Sequence, residues 1–415
     1  PLGSCTMKYN PKVNDAIANL GGFQDLHPYQ EESTVQGILQ LMWELQEWLA
    51  EMGGLPSVTL QPSAGAHGEL TGALIIRAYH EAQGHPRKTI LVPDSAHGTN
   101  RATAATVGYD TREVPTDASG NADLEALREM MNEDVAGLMI TNPSTLGVFE
   151  ENILEIADII HEGGGLIYMD GANMNAMVGV ARPGDLGMDI LHYNLHKTFT
   201  VPHGGGGPGA GATAVREDLA RFLPVPVVSR REDGTFYHDY DRPHSIGRVR
   251  AFYGNVNNMI RAFAYMRILG AEGLVDMSRT AVLNANYIKE RLRDTYHLPF
   301  DRICKHEVIL TAKRQKEATG VRTLDIAKRL LDFGIHAPTV YFPLTVDEAM
   351  LIEPTETESK RSLDRFIAVM EAIAREAAEQ PELVTSAPHK TPLTRLDEAR
   401  AARSPDLRWR PAATE

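Results

Sequence analysis

The chain has 415 residues, is 43% hydrophobic and 23% charged, and carries a formal net charge of −14. That length supports two cores, and the acidic balance disfavours nucleic acid as a general partner, because phosphate binding needs a basic surface. No apolar run is long enough for a membrane span, PLGSCTMKYNPKVND lacks a charged-then-apolar leader pattern, and Cys5 and Cys304 are too few for a disulfide framework or a cysteine zinc site. A reducing, cytoplasmic compartment is expected. The opening PLGS reads as the scar of a cleaved tag or as native sequence.

Residues 1–60 read as an arm plus one helix, with apolar residues at helical spacing in STVQGILQLMWELQEWLAEMGG and a Gly-Gly stop. Residues 61–260 alternate strands and helices and form the large domain. In chain order these are helix HGELTGALIIRAYHEAQG, strands KTILVPD and REVPT, helix NADLEALREMM, strand GLMITNPS, helix ILEIADIIHEGG, and strands GGLIYMDGAN and DILHYNLHK. Several strands are apolar throughout, as expected when helices cover both faces of a mostly parallel sheet, so the fold class is α/β. Residues 261–380 read as a smaller α+β C-terminal domain. A long helical region, about 257 to 294, leads into HEVILTA, TLDIAKRLLDFG, HAPTVYFP, AMLIEPTE and a helix over 358–378. Residues 381–415 read as an extended tail. From Lys390 onward it has six basic and four acidic residues, so it is locally positive.

In open parallel sheets, ligands lie beyond the carboxyl ends of the strands, and four clusters fall there. Ser63, Ala64 and Gly65 precede a helix start, which reads as an ordinary helix entry or as an anion cradle of free N–H groups. No Walker pattern or G-x-G-x-x-G accompanies it. His97, in PDSAHGTN, is a surface-loop histidine or a flat face for a planar ligand. Asp170 closes an apolar run, either as an Asx turn or helix N-cap or as a carboxylate awaiting a cationic partner. Lys197, with His196 before it and Gly204–Gly207 and Gly209 after it, either snorkels to solvent or serves as a nucleophilic amine. His192 and His196 are four apart, but the segment reads as a strand and lacks the glutamate of H-E-x-x-H, which argues against a metal site.

Together the clusters suit one ligand. A phosphate takes the helix start, an aromatic ring takes His97, a pyridinium takes Asp170 and an aldehyde takes Lys197, which is pyridoxal 5'-phosphate. Glycine around Lys197 lets backbone approach the cofactor closely.

With these residues assembled, the chain resembles glycine decarboxylase, the P-protein of the glycine cleavage system, in the second subunit of its split two-chain form. The stretches QPSAGAHGELTG, DSAHGTN, TNPSTLGVFE, MDGANMNA, NLHKTFTVPHGGGGPGAG, MLIEPTETESK and TRLDEARAARSPDLRW carry the resemblance. It implies that PLGS is native, with further sequence upstream, and that the fold is that of a fold-type-I pyridoxal-phosphate-dependent transferase. The implied reaction is decarboxylation of glycine, with release of CO2 and transfer of the aminomethyl group to the lipoyl arm of H-protein. The implied assembly is an α2β2 heterotetramer with the companion glycine decarboxylase subunit 1. Asp170 is then the partner of the ring nitrogen, and His97 or His196 carries protons with Lys197. Asn142 and Thr145 contact the ring hydroxyl or substrate, and Asn194 joins the cofactor-binding set. Arg248, Arg250 and the arginine-bearing tail are candidate docking elements for an acidic H-protein, or they pair internally. Arg101 follows GTN where the family leads one to expect proline, which leaves the local loop shape open. Other readings are another fold-type-I enzyme, such as an amino-acid decarboxylase or a cysteine desulfurase, and a cofactor-free structural subunit.

Overall fold

A computed structural model of the chain describes residues 5–203 and 209–410. Pro1–Ser4, the last five residues of the tail and the Gly204–Gly207 run singled out above lie outside the described residues.

Seven strands form the central sheet: β1 Ser57–Thr59, β2 Thr89–Pro93, β3 Asp110–Val114, β4 Val135–Thr141, β5 Leu166–Gly171, β6 Ile190–Asn194 and β7 Gly211–Val215. They lie in the order β1-β7-β6-β5-β4-β2-β3, parallel from β3 across to β6, with β7 and β1 closing one side antiparallel. Strands β4 to β7 are buried at every position, so each residue packs against a helical layer above or below. The chain leaves β2 for β3 at one edge and returns through β4 on the other side of β2. The crevice at that reversal, outside the carboxyl ends of β2, β4, β5 and β6, is where such sheets bind small molecules.

The helix Gly65–Ala82 lies on this sheet through glycines at i, i+3 and i+7. A Cβ at Gly72 would sit 2.5 Å from the Tyr168 ring, one at Gly68 would sit 2.8 Å from His192 Cβ, and one at Gly65 would overlap Asn194 Oδ1. The three hydrogens let the helix settle against β5 and β6, which brings its first turn beside the end of β6.

Two features differ from the expectation. The segment DILHYNLHK is not strand throughout: β6 stops at Asn194, and Leu195–Thr198 forms one helical turn that carries His196 and Lys197. The chain is also helical from within SAHGTN onward, over Gly98–Thr106. A hairpin of β8 (Val227–Arg230) and β9 (Phe236–Asp239) completes the first unit.

The long helix Val256–Leu292 breaks at Gly270, whose φ of 64° a residue with a side chain adopts only under strain. Its first part packs into the main core through Met259 and Ile260, and its last turns join a second core with Leu310, Leu330, Met350 and Ile367. That second core is roofed by helices Thr323–Asp332 and Lys360–Glu379. Its sheet contains β10 (Val308–Thr311), β11 (Thr339–Val340) and β12 (Ala349–Ile352), ordered β10-β12-β11 and antiparallel. The segment expected to be an extended tail instead has two short helices, Pro381–Thr385, whose Val384 joins the second core, and Glu398–Arg403, and beyond them Leu407 and Trp409 are exposed.

The N-terminal arm joins the two units. Thr6 Oγ1 donates to Glu353 (2.6 Å), and Lys8 Nζ donates to Asn175 Oδ1 (2.7 Å) and the Thr198 carbonyl (2.8 Å) while pairing with Glu356 at 2.8 Å. Three of the stretches quoted above, SCTMKYN, MDGANMNA and MLIEPTETESK, thus meet at one place. Among the described residues, no helix is long and apolar enough to cross a membrane.

Candidate active site at the carboxyl ends of the central strands

Asp170 ends the apolar run of β5 and is buried. Burial pushes its pKa up, but His192, the Lys197 charge, the Ala172 N–H and the Asn100 amide outweigh that and hold it below the ordinary range. The Ala172 amide donates at 2.9 Å and Asn100 Nδ2 at 3.2 Å. His192 Nε2 lies 3.3 Å from Asp170 Oδ1. The Tyr168 hydroxyl meets His192 Nδ1, and burial lowers the imidazole's pKa while Asp170 raises it. Asp170 is therefore held ionised by two neutral donors, Ala172 and Asn100, together with the charges of His192 and Lys197. The Ala172 bond, from the residue two positions on, is an Asx turn, so that alternative describes its local backbone, while the next helical turn is capped at Asn173 and not at Asp170.

Lys197 is half-buried on its helical turn. Its charge acts on Asp170, His97 and His192 from the strand ends, on His196 and His203 beside it, and on Cys5, His306 and Glu353 from the arm and the second unit.

His97 caps the helix Gly98–Thr106, its Nδ1 accepting from the Thr99 amide at 3.2 Å and meeting the Thr99 hydroxyl at 2.8 Å. The residue is solvent-exposed, and its ring meets that of Phe342 at 5.7 Å between centroids. Burial of its surroundings lowers its pKa, Asp170 raises it and Lys197 lowers it, so it stands near both.

The helix start at Ala64 and Gly65 has no side-chain cap, so its first N–H groups point into the crevice without a protein acceptor from the capping residue. Ser63 Oγ lies 3.1 Å from His67 Nδ1, and His67 Nε2 reaches the Val249 carbonyl at 3.0 Å. Arg250 is half-buried, acts on His67 and keeps a buried Nη1 without a partner. Arg248 is exposed and packs over Tyr240.

The remaining expected residues divide. Asn194 is buried at the end of β6 with Oδ1 unpartnered. Asn142 accepts from the Glu150 amide at 3.1 Å and keeps Nδ2 buried and unpartnered. Thr145 donates its hydroxyl to the Ser95 carbonyl, which makes it a loop tie. His196 is buried with Nδ1 engaged by Ala210, its carbonyl 3.0 Å and its amide 3.3 Å away, and burial lowers it to about 4, which leaves it neutral. Arg101 turns to Glu113 and the Asp94 carbonyl, so it pins its helix to β3 and keeps its charge out of the crevice.

Three residues of the site were not anticipated. Glu69 is buried on the helix Gly65–Ala82, takes hydroxyls from Thr99 (2.9 Å) and Thr103 (3.3 Å), and is raised by burial and Asp170 to about 7. Asn100 and His192 hold Asp170. All three lie in stretches already quoted, at i+3 or i+4 from recognised positions, but only the folded contact reveals them.

A separate cavity of about 790 Å³ lies between Trp48, Val178 and the Gly270 break and contains none of these residues.

Comparison with known proteins agrees with this geometry. The family Aminotransferase class-V matches residues 65–310, and the family Glycine dehydrogenase, C-terminal domain, matches residues 277–394. A probable glycine dehydrogenase (decarboxylating) subunit 2 from Caldanaerobacter subterraneus subsp. tengcongensis is 58% identical over 410 residues, 99% of this chain and 84% of that protein. The protein of the same description from Bacillus cytotoxicus is also 58% identical, over 99% of this chain and 83% of its own. Among solved structures, a glycine decarboxylase (P-protein) of the glycine cleavage system in inhibitor-bound form superposes with a TM-score of 0.76 at 22% identity, covering 90% of this chain and 84% of that one. A cysteine desulfurase from Thermococcus onnurineus NA1 gives 0.68 at 17% identity, over 90% and 94%.

The fold is therefore that of the fold-type-I pyridoxal-phosphate enzymes, and the residues present suit that cofactor. An uncapped helix start, an unpartnered buried Arg250 nitrogen, unpartnered buried amide atoms of Asn142 and Asn194, and an ionised carboxylate on which the Lys197 charge acts are the groups such a cofactor needs. The chain belongs to the family of glycine dehydrogenase (decarboxylating) subunit 2.

Proposed function

We propose that this chain is the pyridoxal-phosphate-carrying subunit of a glycine-cleaving enzyme, removing the carboxylate of glycine as CO2 and passing the aminomethyl group to the lipoyl arm of H-protein. Bound pyridoxal phosphate supplies an electron sink for the pair left by the breaking Cα–carboxylate bond. Lys197 would hold the cofactor through its aldehyde. Asp170 keeps the ring nitrogen protonated, for which its own ionisation is the requirement. Glu69, raised to about 7, is the neighbour that retains a proton while Asp170 stays charged, so the two carboxyls divide the roles. His97 covers one face of the ring. Ser63, Ala64, Gly65 and Arg250 hold the phosphate, and Asn142 and Asn194 orient the ring and substrate. His196, neutral and tied to Ala210, shapes the wall beside Lys197, and Thr145 shapes the loop.

The observation that carries this reading is the pairing of an ionised, buried Asp170 with the Lys197 charge at the switch point of the sheet, in a chain of this family. A desulfurase reading needs a nucleophilic thiol. Cys304 is buried, its thiol pushed to about 12 by burial, and Asn286 Oδ1 takes its amide at 3.2 Å.

The relatives are named as a second subunit, so a companion subunit belongs to the proposal, in an α2β2 assembly acting in the cytoplasm. The test is exchange of labelled CO2 into the glycine carboxylate. Exchange is expected only with companion subunit and lipoylated H-protein present, and full activity from this chain alone would refute the split-subunit claim.

A further inference from the structure

Beside Lys197, away from the strand ends, lies a second group of buried titratable residues: His306, Glu307 and Glu353. Their ligand atoms lie within 4.8 Å of one another, and the three side chains are 0%, 0% and 2% exposed. The ladder explains the meeting. Val308 of β10 pairs with Ile352 of β12, so Glu307 and Glu353 stand side by side one step beyond the last paired residues.

Two ionised carboxylates cannot share a dry site, because each loses hydration and repels the other. Thr6 Oγ1 donates to Glu353 Oε1 at 2.6 Å, while Glu353 Oε2 is buried with no partner. Asn173 Nδ2 donates to Glu307 Oε1 at 3.3 Å. Both nitrogens of His306 are buried and unpartnered, and its Nε2 lies 3.9 Å from Glu353 Oε1. The charged groups acting on the cluster are Lys197 from its helical turn and Lys8 from the arm, which disfavour a divalent cation there.

We propose that Glu307 and Glu353 share one proton and serve as the acid on this side of the Lys197 site, protonating the sulfur released when the substrate carbon opens a disulfide. The inference rests on the reaction proposed above. There, the electron pair of the broken Cα–carboxylate bond ends in a new carbon–sulfur bond. The electron pair of the lipoyl S–S bond leaves on the second sulfur, which takes the proton from Glu353 Oε2, and the pair recovers a proton from solvent. Burial first, and Glu307 second, push Glu353 well above its ordinary value, against Thr6, Lys197 and Lys8. Burial and the same two lysines lower His306 to about 3, so it is a neutral ring with a donor and an acceptor to lend to proton transfer.

The test uses the two-subunit holoenzyme. An infrared difference spectrum at neutral pH, wild type minus Glu353→Gln, cancels other protonated carboxyls such as Glu69 and is expected to retain a carboxylic-acid carbonyl band. With glycine and lipoylated H-protein, thiol release by the wild type is expected to stay level between pH 6 and 8. In the Glu353→Gln variant the proton must come from solvent, and the rate is expected to fall about tenfold per pH unit. Thr6→Val removes a donor that favours the charged form, so its band persists, which keeps the proposal testable if the glutamine variant does not fold. An absent band, a level pH profile in the variant, a lost band in Thr6→Val, or one equivalent of tightly bound divalent metal in the purified enzyme would each overturn the proposal. Wild-type enzyme that releases no CO2 from glycine would instead overturn the underlying reaction, whatever the band shows.

Discussion

Two carboxyls decide the chemistry at the residue scale. Asp170 stays ionised because neutral donors and the charges of His192 and Lys197 outweigh its burial, so Asp170→Asn leaves the crevice intact and removes only the charge opposite the ring nitrogen. We expect the variant to retain cofactor, seen by its visible absorbance through gel filtration, and to lose about 10²–10³-fold in turnover. Near-normal turnover would show that the pyridinium has another partner. Glu69 behaves oppositely: burial and Asp170 raise it from 4.5 to about 7. The folded chain then holds a proton that the unfolded chain has released, so this group's contribution to stability is complete below about pH 4.5 and is lost as pH climbs through 7. Denaturant titrations at pH 5 and pH 7.5 are expected to show a smaller stability difference in Glu69→Gln than in wild type, and an equal difference would contradict the assignment.

At the scale of elements, the glycine face of the helix Gly65–Ala82 sets the distance between that helix and β5–β6, and with it the position of the anion-binding turn. Gly72→Ala drives a methyl group into the Tyr168 ring, so we expect a loss of about 1–3 kcal/mol in chemical denaturation and weaker cofactor retention. The spacing of Gly65, Gly68 and Gly72 was visible in QPSAGAHGELTG, as were the apolar strands β4 to β6, because burial on both faces leaves a continuous run. What was not visible has a physical cause in each case. The turn carrying Lys197 follows β6 without a break in polarity, so only backbone hydrogen bonding separates strand from helix there. Strand β1 spans only Ser57–Thr59 and is defined by pairing with β7, a long-range partner that local pattern does not report. Asp170, Lys197 and His97 were legible because each is a polar residue that follows an apolar strand. Glu69, His306 and Glu353 were not, because a buried carboxyl or imidazole inside an ordinary segment is recognisable only by what faces it.

For the whole molecule, the N-terminal arm helps to fasten the second unit to the first, through Thr6 on Glu353 and Lys8 on Glu356, Asn175 and Thr198, beside direct bonds such as those of Arg302 to Asn121 and the Phe149 carbonyl. Burial lowers the Lys8 pKa while Glu356 raises it, so the ammonium depends on its partner. Removing one member of such a buried pair typically costs about 3–5 kcal/mol, which is the loss expected for Lys8→Ala in urea titration, and a change near zero would show that the arm is not fastened. The same arm brings Cys5 to within 3.3 Å of His203 Nε2, so one short segment borders both sides of the amine. Everything in this account converges on that amine. The most direct measurement is borohydride reduction of the chain loaded with pyridoxal phosphate, followed by peptide mapping. The account predicts a single reduced pyridoxyl label on Lys197, absent in Lys197→Ala. A label on another lysine, or equal labelling of the variant, would contradict it.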